Sequence, residues 1–409
     1  MTELPPTAGL PLRAGDLLPW GDADLEGHLA RWLGVPAVQL TCSGTAALLL
    51  ALQVLRAQTP SRDEVVVPAY TCRLVALAVA RAGLRLRLCD LAPGTLDLHL
   101  PALQALCGPR TLAVLPTHLC GLVTDVAGPA AVARAAGAWV IEDAAQALGA
   151  RVAGQPLGLQ GDIGLYSLAA GKGLTLYEGG LLVSARPALR AALREAGPRL
   201  LPPRPAWELR RSLELLGYAA CYRPRGLRWV YGQPLRRALA HDDRVAAAGD
   251  DIGADIPLHA VGRWRRRVGV RALARLPAHW QAAEQRWQQR RNRLMQAGLP
   301  VLGDSPAVPA AQGVRPLLLL AFPDAGLRDA LLQRLWGAGL GVSLPFAATL
   351  ADYPPDAAGL AVTAEGPLVH ARVLAGRLLA ITNSGWLDEP GFEALLAQLL
   401  EGLGRVRAG

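Results

Sequence analysis

The chain has 409 residues, of which 52% are hydrophobic and 18% charged, and its formal net charge is +9. This composition excludes an intrinsically disordered protein, and the length favours two covalently joined lobes over one minimal core. Apolar stretches such as residues 46–52 stop far short of the ~20 residues of a membrane-spanning helix, and the N-terminus lacks signal-peptide features. We therefore expect a cytoplasmic protein.

The residue types narrow the possible chemistry. The positive charge is nearly all arginine, and Lys172 is the single lysine among 42 Lys and Arg residues. Arginine stays protonated in proteins, so it cannot supply the neutral amine that a Schiff base requires. Lys172 is therefore a candidate nucleophile, although drift of a GC-rich gene towards arginine could leave one lysine by chance. The six scattered cysteines predict reduced thiols and no metal site, and no nucleic-acid partner is expected.

From about residue 21 to residue 184, short apolar strands alternate with helices. The predicted elements are a helix at 46–56, a strand at 64–68, a helix at 74–81, strands at 84–89 and 111–116, a helix at 130–136, and strands at 138–141, 163–167 and 180–184. This alternation predicts an α/β fold in which a mainly parallel sheet carries helices on both faces. Functional residues of such sheets collect beyond the carboxyl ends of the strands.

The remainder of the chain has a different character. Residues 198–293 are rich in Arg, Trp and Tyr, with helix-like runs at 209–216 and 279–293, and a strand at 314–322 and helices at 327–337 and 390–403 follow. We expect a large domain over residues 1–297 and a smaller C-terminal α+β domain over residues 298–409. The aromatic residues among the arginines could lie on a membrane interface, but a helical hairpin packed in a dimer is the favoured interpretation.

Ser43, Gly44 and Thr45 form a small-residue turn directly before the first predicted helix. The unpaired backbone N–H groups and the positive dipole of such a helix N-terminus attract a phosphate group. Ordinary N-capping by Ser43 is the alternative explanation for the same residues.

The segment of residues 142–146 directly follows a predicted buried strand, with Asp143 as its second residue and Gln146 as its last. A carboxylate at this position faces the ligand crevice, where it could pair with a pyridine nitrogen and keep that nitrogen protonated. Capping of the next helix is an equally good explanation for Asp143 in isolation.

Lys172 lies five residues after Ser167 and 29 residues after Asp143, between two glycines. A strand end, a hydroxyl group and a flexible lysine can hold the phosphate and the aldehyde of one ring at its opposite ends. A solvated surface charge is the alternative, but the neighbouring residues are apolar or small and argue against it.

These motifs together resemble the DegT/DnrJ/StrS family of aminotransferases that depend on pyridoxal 5'-phosphate (PLP). The matching segments are CSGTAALLLAL, EVVVPAYTC, PTHLCGLVTD, VIEDAAQALGA and GDIGLYSLAAGKGLTLYEGGLLV. The resemblance implies PLP fold type I with a seven-stranded-type sheet, and a homodimer with active sites at its interface. It also implies transfer of an amino group, from glutamate, to a keto sugar on a nucleotide carrier.

The same resemblance assigns roles to individual residues. The implied cofactor-binding residues are Ser43, Gly44, Thr45, Cys72, Asp143, Gln146, Ser167 and Lys172. Gly44, Thr45 and Ser167 hold the phosphate in this assignment. Asp143 pairs with the ring nitrogen, Gln146 lies beside the ring oxygen, and Lys172 is the catalytic residue that links the cofactor covalently.

The chain departs from the family pattern at several positions. Cys72 stands where many members stack an aromatic residue on the cofactor ring, and Tyr70 is the alternative ring contact. The usual Asn-Tyr-Arg segment, whose Asn reaches the phosphate of the partner subunit, is not recognisable. Arg263, Arg265, Arg266 and Arg267 lie near that region, so one of them could take this role, or all four could face water. Residues 381–386 replace a usual Leu-Pro-containing strand.

Three further interpretations stay open at this point. A dehydratase branch of the family carries His in place of the lysine, so Lys172 argues against dehydration, but other PLP lyases of this fold remain. A non-catalytic regulator need not keep Lys172, Asp143 and Ser167 together. His118, in the PTHLCG segment, could border the substrate pocket, although a histidine bonded to the backbone is the favoured explanation.

Overall fold

The computed structural model describes residues 2–354 and 362–408. The strands are β1 (Val38–Thr41), β2 (Glu64–Pro68), β3 (Arg85–Cys89), β4 (Thr111–Val114), β5 (Trp139–Asp143), β6 (Arg151–Val152), β7 (Gln155–Pro156), β8 (Ile163–Ser167), β9 (Gly180–Val183), β10 (Val301–Leu302), β11 (Ala311–Gln312), β12 (Leu317–Ala321), β13 (Val342–Ser343) and β14 (Leu378–Thr382). The helices are α1 (Leu25–Leu33), α2 (Gly44–Gln58), α3 (Arg73–Arg81), α4 (Leu100–Leu106), α5 (Ala127–Ala135), α6 (Pro187–Leu200), α7 (Pro205–Cys221), α8 (Pro224–Leu227), α9 (Gln233–Ala240), α10 (Arg244–Ala248), α11 (Arg263–Leu273), α12 (Leu276–Gln296), α13 (Ala325–Leu335), α14 (Val369–Arg377) and α15 (Glu389–Ala408). A π-helical turn, Arg228–Gly232, joins α8 to α9.

Seven strands form the central sheet, in the order β1-β9-β8-β5-β4-β2-β3. The strands from β8 to β3 pair in parallel, whereas β9 pairs antiparallel with both of its neighbours. Two strands, β2 and β8, have the same bounds in the structure as in the sequence prediction. The predicted α/β fold class, with a mainly parallel seven-stranded sheet, is confirmed.

Helices cover both faces of this sheet, because alternate residues of a strand point to opposite sides. Val65 and Val67 of β2 pack in one core cluster with α2 and α3, whereas Val66 packs in a separate cluster with α4 and α5. Nine residues of α2 are buried. This burial explains why the sequence of α2 is apolar on nearly every side, as expected of a helix inside a core.

The carboxyl ends of β1, β5 and β8 lie at one edge of the sheet. Since β9 is antiparallel to both β8 and β1, the strands β1 and β8 run in the same direction. β5 is parallel to β8. The turn before α2 follows β1, Asp143 ends β5, and Ser167 ends β8. The topology therefore brings the three motifs of the sequence to one edge, where ligands of open α/β sheets bind.

A second sheet of four antiparallel strands has the order β10-β12-β14-β13. α13 and α15 pack against it through a core that includes Leu318, Leu331 and Leu395, and Leu4 near the N-terminus joins the same core. β11 pairs with β6, so backbone hydrogen bonds connect residues on either side of position 298. The exact boundary between the two predicted domains stays a prediction.

All six cysteines are free thiols. Burial raises the pKa of Cys42 and of Cys107 to about 11, and that of Cys89 to about 12. These thiols are therefore protonated at neutral pH and poorly reactive. Within residues 2–354 and 362–408, none of the helices combines the length and the apolar character that crossing a bilayer requires.

Candidate active site

A cavity of about 1070 Å³ opens at the edge of the sheet where β1, β5 and β8 end. Its lining includes all of the residues that the sequence assigned to a cofactor: Ser43, Gly44, Thr45, Cys72, Asp143, Gln146, Ser167 and Lys172. Residues separated by up to 129 positions along the chain thus line one space.

The N-terminus of α2 forms one wall of the cavity. The Ser43 hydroxyl oxygen accepts a hydrogen bond from the Ala46 N–H at 3.0 Å, and the Ser43 carbonyl accepts from the Ala47 N–H at 3.0 Å. Ser43 therefore caps the helix, as the alternative explanation proposed. The N–H groups of Gly44 and Thr45 precede these first bonds and belong to the group of helix N–H donors that have no intrahelical acceptor. They are suited to bind an anion.

Two glycines allow this wall to approach its neighbours closely. A Cβ atom on Gly44 would lie 3.2 Å from the Ser167 Cβ. A Cβ atom on Gly180 would lie 2.2 Å from the Ser43 carbonyl oxygen, a distance that real Cβ atoms do not reach. The absence of side chains at Gly44 and Gly180 therefore keeps the turn before α2 and the end of β8 next to each other.

Asp143 is a buried carboxylate at the end of β5. Its side chain accepts a hydrogen bond from the Ala145 N–H at 3.0 Å, so it also caps the turn that follows the strand. Burial raises the pKa of Asp143 above its ordinary value, while the Ala145 N–H, His118 and Lys172 act in the opposite direction. A carboxylate in this setting gains stability from a cation placed in the cavity.

His118 and Glu142 form a buried pair next to Asp143, whose carbonyl accepts a hydrogen bond from the His118 N–H. The His118 Nε2 lies 3.1 Å from the Glu142 Oε1, and its Nδ1 accepts a hydrogen bond from the Thr124 N–H at 3.0 Å. The accepting role of Nδ1 places the ring proton on Nε2, where it is donated to Glu142. His118 also lines the cavity. Both interpretations of His118 therefore apply: its ring bonds to the backbone and it borders the pocket.

Lys172 lies in the loop after β8, which is held by contacts with distant segments. The Gly171 carbonyl accepts a hydrogen bond from the Thr7 hydroxyl at 2.6 Å, and the Gly171 N–H donates to the Tyr218 hydroxyl at 3.3 Å. Gly171 has a φ of +77°, which a side chain would disfavour. Burial lowers the pKa of Lys172 below its ordinary value, although Cys72, Asp143 and Cys120 partly oppose this. A larger fraction of its amine is neutral as a result.

A second cavity, of about 860 Å³, is also lined by Lys172. Its lining includes Thr7, Tyr231 and Trp280, and it shares Gln146, Ser167 and Lys172 with the first cavity. The Gln146 Oε1 accepts a hydrogen bond from the Cys120 N–H at 2.6 Å, which fixes the amide between the two spaces. Lys172 therefore borders two neighbouring cavities.

Sequence reasoning missed several features of this site. Glu178 lines the first cavity and forms an ion pair with Arg211 of α7. The EGG segment gave a local signal for Glu178, but its partner lies 33 residues further along the chain. Cys120 is equally unpredictable, because only the fold brings it close to Lys172. Tyr70, the suggested alternative ring contact, instead hydrogen-bonds with its hydroxyl to the Phe346 backbone at 3.2 Å.

Several arginines of α11 are engaged within their own chain. Arg265 is fully buried and donates to both carboxylate oxygens of Glu208, and to the Glu178 carbonyl at 2.7 Å. Arg266 pairs with Glu26 at 2.9 Å, and Arg267 donates to the carbonyls of Gly21 at 3.1 Å and Pro19 at 2.7 Å. The alternative in which all of these arginines face water is therefore wrong. Arg265 is also removed from the candidates for a contact with a partner subunit, because its fork is occupied within its own chain. Arg263 is exposed.

Comparisons with known proteins identify related sequences and folds. Residues 21–198 match the model of the DegT/DnrJ/EryC1/StrS aminotransferase family. The UDP-N-acetyl-3-dehydro-alpha-D-glucosamine 3-aminotransferase of Acidithiobacillus ferrooxidans is 39% identical over 171 residues, which cover 42% of this chain and 46% of that protein. The L-glutamine:scyllo-inosose aminotransferase of Streptomyces griseus is 33% identical over 251 residues, which cover 58% of each protein. The chain thus spans about half the length of these curated relatives.

The likeness of the fold extends over the whole chain. DesI, whose structure was determined in the presence of its TDP-sugar product, matches with a TM-score of 0.73 and 22% identity, covering 100% of this chain and 94% of that chain. At this identity the match shows the fold, which is PLP fold type I. The fold and the family resemblance predicted from the sequence are both confirmed.

Proposed function

We propose that the protein is a PLP-dependent aminotransferase, because residues 21–198 match the model of the DegT/DnrJ/EryC1/StrS aminotransferase family. It moves an amino group from glutamate to a keto sugar on a nucleotide carrier. The observation that carries the proposal is the shared cavity of the Lys172 amine, the Asp143 carboxylate and the N-terminus of α2. These groups offer a nucleophile, a partner for a protonated ring nitrogen and an anion site within one space.

The residues of the cavity fit pyridoxal phosphate. The N–H groups of Gly44 and Thr45, with the Ser167 hydroxyl, would hold the phosphate, since the glycines keep these elements close together. The buried Asp143, whose pKa is raised by burial, would gain a positive partner in a protonated pyridine nitrogen. Lys172, the single lysine, would bind the aldehyde carbon. Cys72 would contact the ring with a smaller surface than an aromatic side chain.

Each of these residues has a chemical task in amino transfer. Bound pyridoxal phosphate supplies an electron-accepting ring that stabilises negative charge on the substrate carbon. The Lys172 amine holds the cofactor and also removes and returns the proton at that carbon, which its lowered pKa favours. The Asp143 carboxylate keeps a proton on the ring nitrogen. Gln146, fixed by the Cys120 N–H, orients the ring from the side of its oxygen.

A half-reaction screen tests this function. The cofactor-loaded protein is first mixed with glutamate or glutamine, and loss of the visible absorption band is followed together with formation of the keto acid. The converted protein is then offered keto sugars on nucleotides and cyclic ketones without a carrier. We expect conversion by glutamate and return of the band with a nucleotide-linked keto sugar. Absence of conversion by every amino donor would contradict amino transfer and favour a lyase or a regulator.

We also propose that the enzyme is a homodimer with shared active sites. Among the described residues that line the two cavities, Lys172 is the one lysine and none is an arginine, so this lining offers the phosphate no guanidinium group. The exposed Arg263 is the remaining candidate of α11 for a contact across the interface. Sedimentation velocity of the cofactor-loaded protein should give a dimer. A monomer that retains full activity would refute the shared site.

A further inference from the structure

The outward face of α7 is apolar and has no partner among the described residues of this chain. Beyond Pro205, the exposed first residue of the helix, its exposed residues are Ala206, Leu209, Arg210, Leu213, Leu216, Gly217 and Ala220. They recur at intervals of three and four, which places them on one side of a helix. Leu209 and Leu213 are 63% and 60% exposed, far beyond the exposure of an ordinary core-facing leucine. Six of these seven residues are uncharged, an unusual composition for a face in contact with water.

The opposite face of α7 fixes the orientation of the helix. Leu215 and Ala219 are buried against the large domain. Glu208 accepts two hydrogen bonds from the buried Arg265, and Arg211 forms an ion pair with Glu178. These contacts hold the helix from within, so it cannot rotate to bury its leucines without breaking buried ion pairs. The contacts of the inner face of α7 therefore keep its apolar face exposed.

The apolar character continues into the next elements of the chain. α7 contacts α8, and α8 contacts the π-helical turn Arg228–Gly232. That turn exposes Trp229, at 61%, and Val230. Trp is a residue that favours the boundary between water and the headgroups of a bilayer. We call the exposed residues of α7, α8 and the π-helical turn the basic apolar surface, because all of their exposed charged residues are arginines.

Every exposed charge on residues 203–240 is positive. The exposed arginines of this segment are Arg204, Arg210, Arg223, Arg225, Arg228 and Arg237. Its two acidic residues, Glu208 and Glu214, are less exposed and are engaged with arginines. A second copy of this chain would oppose these arginines with the same arginines, which is unfavourable for close contact. An anionic lipid surface instead satisfies both the leucines and the arginines.

We propose that the basic apolar surface lies on anionic phospholipid membranes. The leucines and Trp229 insert between the headgroups, and the flanking arginines contact lipid phosphates. The contact is interfacial, since the apolar face occupies only one side of α7. This binding is independent of the chemistry at Lys172 and holds whatever reaction the cofactor site performs.

Sedimentation with vesicles tests the proposal on the cofactor-loaded protein. Vesicles of equal parts phosphatidylglycerol and phosphatidylcholine should bind the protein, and pure phosphatidylcholine should bind it weakly. The triple variant Leu209→Ser/Leu213→Ser/Leu216→Ser should lose about tenfold in binding, because less apolar surface enters the bilayer. The matched control Val369→Ser/Val373→Ser removes two exposed valines of α14, at 55% and 43% exposure, and should bind as the unchanged protein does.

The charge contribution is tested separately. Arg225→Gln/Arg228→Gln should weaken binding to the anionic vesicles by about tenfold, and added salt should weaken binding of the unchanged protein in the same way. Arg134→Gln, an exposed arginine of α5, is the control. Equal binding to both kinds of vesicle, or unchanged binding of the triple variant, overturns the proposal. The proposal is also overturned if the unchanged protein does not bind vesicles and the triple substitution converts its oligomer to monomers. A second copy of the chain would then cover α7.

Discussion

Lys172→Ala will abolish amino transfer, with a loss on the order of 10⁴-fold or more, because it removes both the nucleophile and the base for the proton at the substrate carbon. The variant keeps the turn before α2 and the Asp143 carboxylate, which would still hold the cofactor non-covalently. The loss of activity in this variant can therefore be distinguished from a loss caused by unfolding, because a folded variant still binds the cofactor. The measurement is single-turnover conversion of the cofactor by glutamate.

The matched control is Lys172→Arg. Arginine keeps a positive charge of similar reach but stays protonated, so it cannot form the covalent link. Both variants should fail to be labelled when borohydride reduces the cofactor-loaded protein, whereas the unchanged protein should carry the label on Lys172. Covalent labelling of another residue, or a Lys172→Ala enzyme with full turnover, would falsify the assignment.

The stability of the cofactor-free protein provides a check on folding. Burial lowers the pKa of Lys172 in the folded protein below its ordinary value of ~10.4. At pH values between these two pKa values, the unfolded chain therefore binds more protons than the folded chain. The buried amine consequently costs stability below that window, and this cost fades as the pH rises through it. Lys172→Ala removes this cost, so its cofactor-free form should unfold at no lower temperature than the unchanged protein at neutral pH.

The sequence allowed much of the fold and of the site to be predicted, for physical reasons. Strands such as β2 carry continuous β-branched runs because both of their faces are buried, and this signal is local. The site motifs follow strand ends, so the rule for parallel sheets placed Asp143 and Ser167 together without coordinates. Lys172 was distinguished by its chemistry, since arginine cannot take its place, and by its small and apolar neighbours.

The features that escaped prediction depend on pairing over long distances. The fully buried Arg265 finds Glu208 57 residues away, and nothing near either residue indicates this. An arginine-rich helix predicts a solvated face, whereas the fold places this guanidinium inside the protein. The face of α7 that contacts no other described residues was equally hidden, because the leucine pattern of a helix does not tell which of its sides will find a core.

Asp143→Ala should reduce turnover by on the order of 10³-fold or more, as expected when a preorganised electrostatic partner is removed. Without the carboxylate the ring nitrogen loses its positive charge, and the ring accepts electrons poorly. Asp143→Asn keeps the shape of the side chain but not its charge, so a similar loss in both variants would identify charge as the cause. The measurement is the rate of the glutamate half-reaction, with the visible absorption band as the record of bound cofactor.

Asp162→Asn is the matched control for this experiment. Asp162 is also buried in the same sheet and accepts a hydrogen bond from the Val140 N–H at 2.8 Å, but it precedes β8 and so lies at the opposite edge from the cavity. This variant should lower the unfolding temperature while leaving the rate per folded molecule nearly unchanged. A loss below about tenfold in Asp143→Ala, with cofactor still bound, would show that another group holds the ring nitrogen. His118 would then be the first residue to test, because its ring lies behind Asp143 and lines the same cavity.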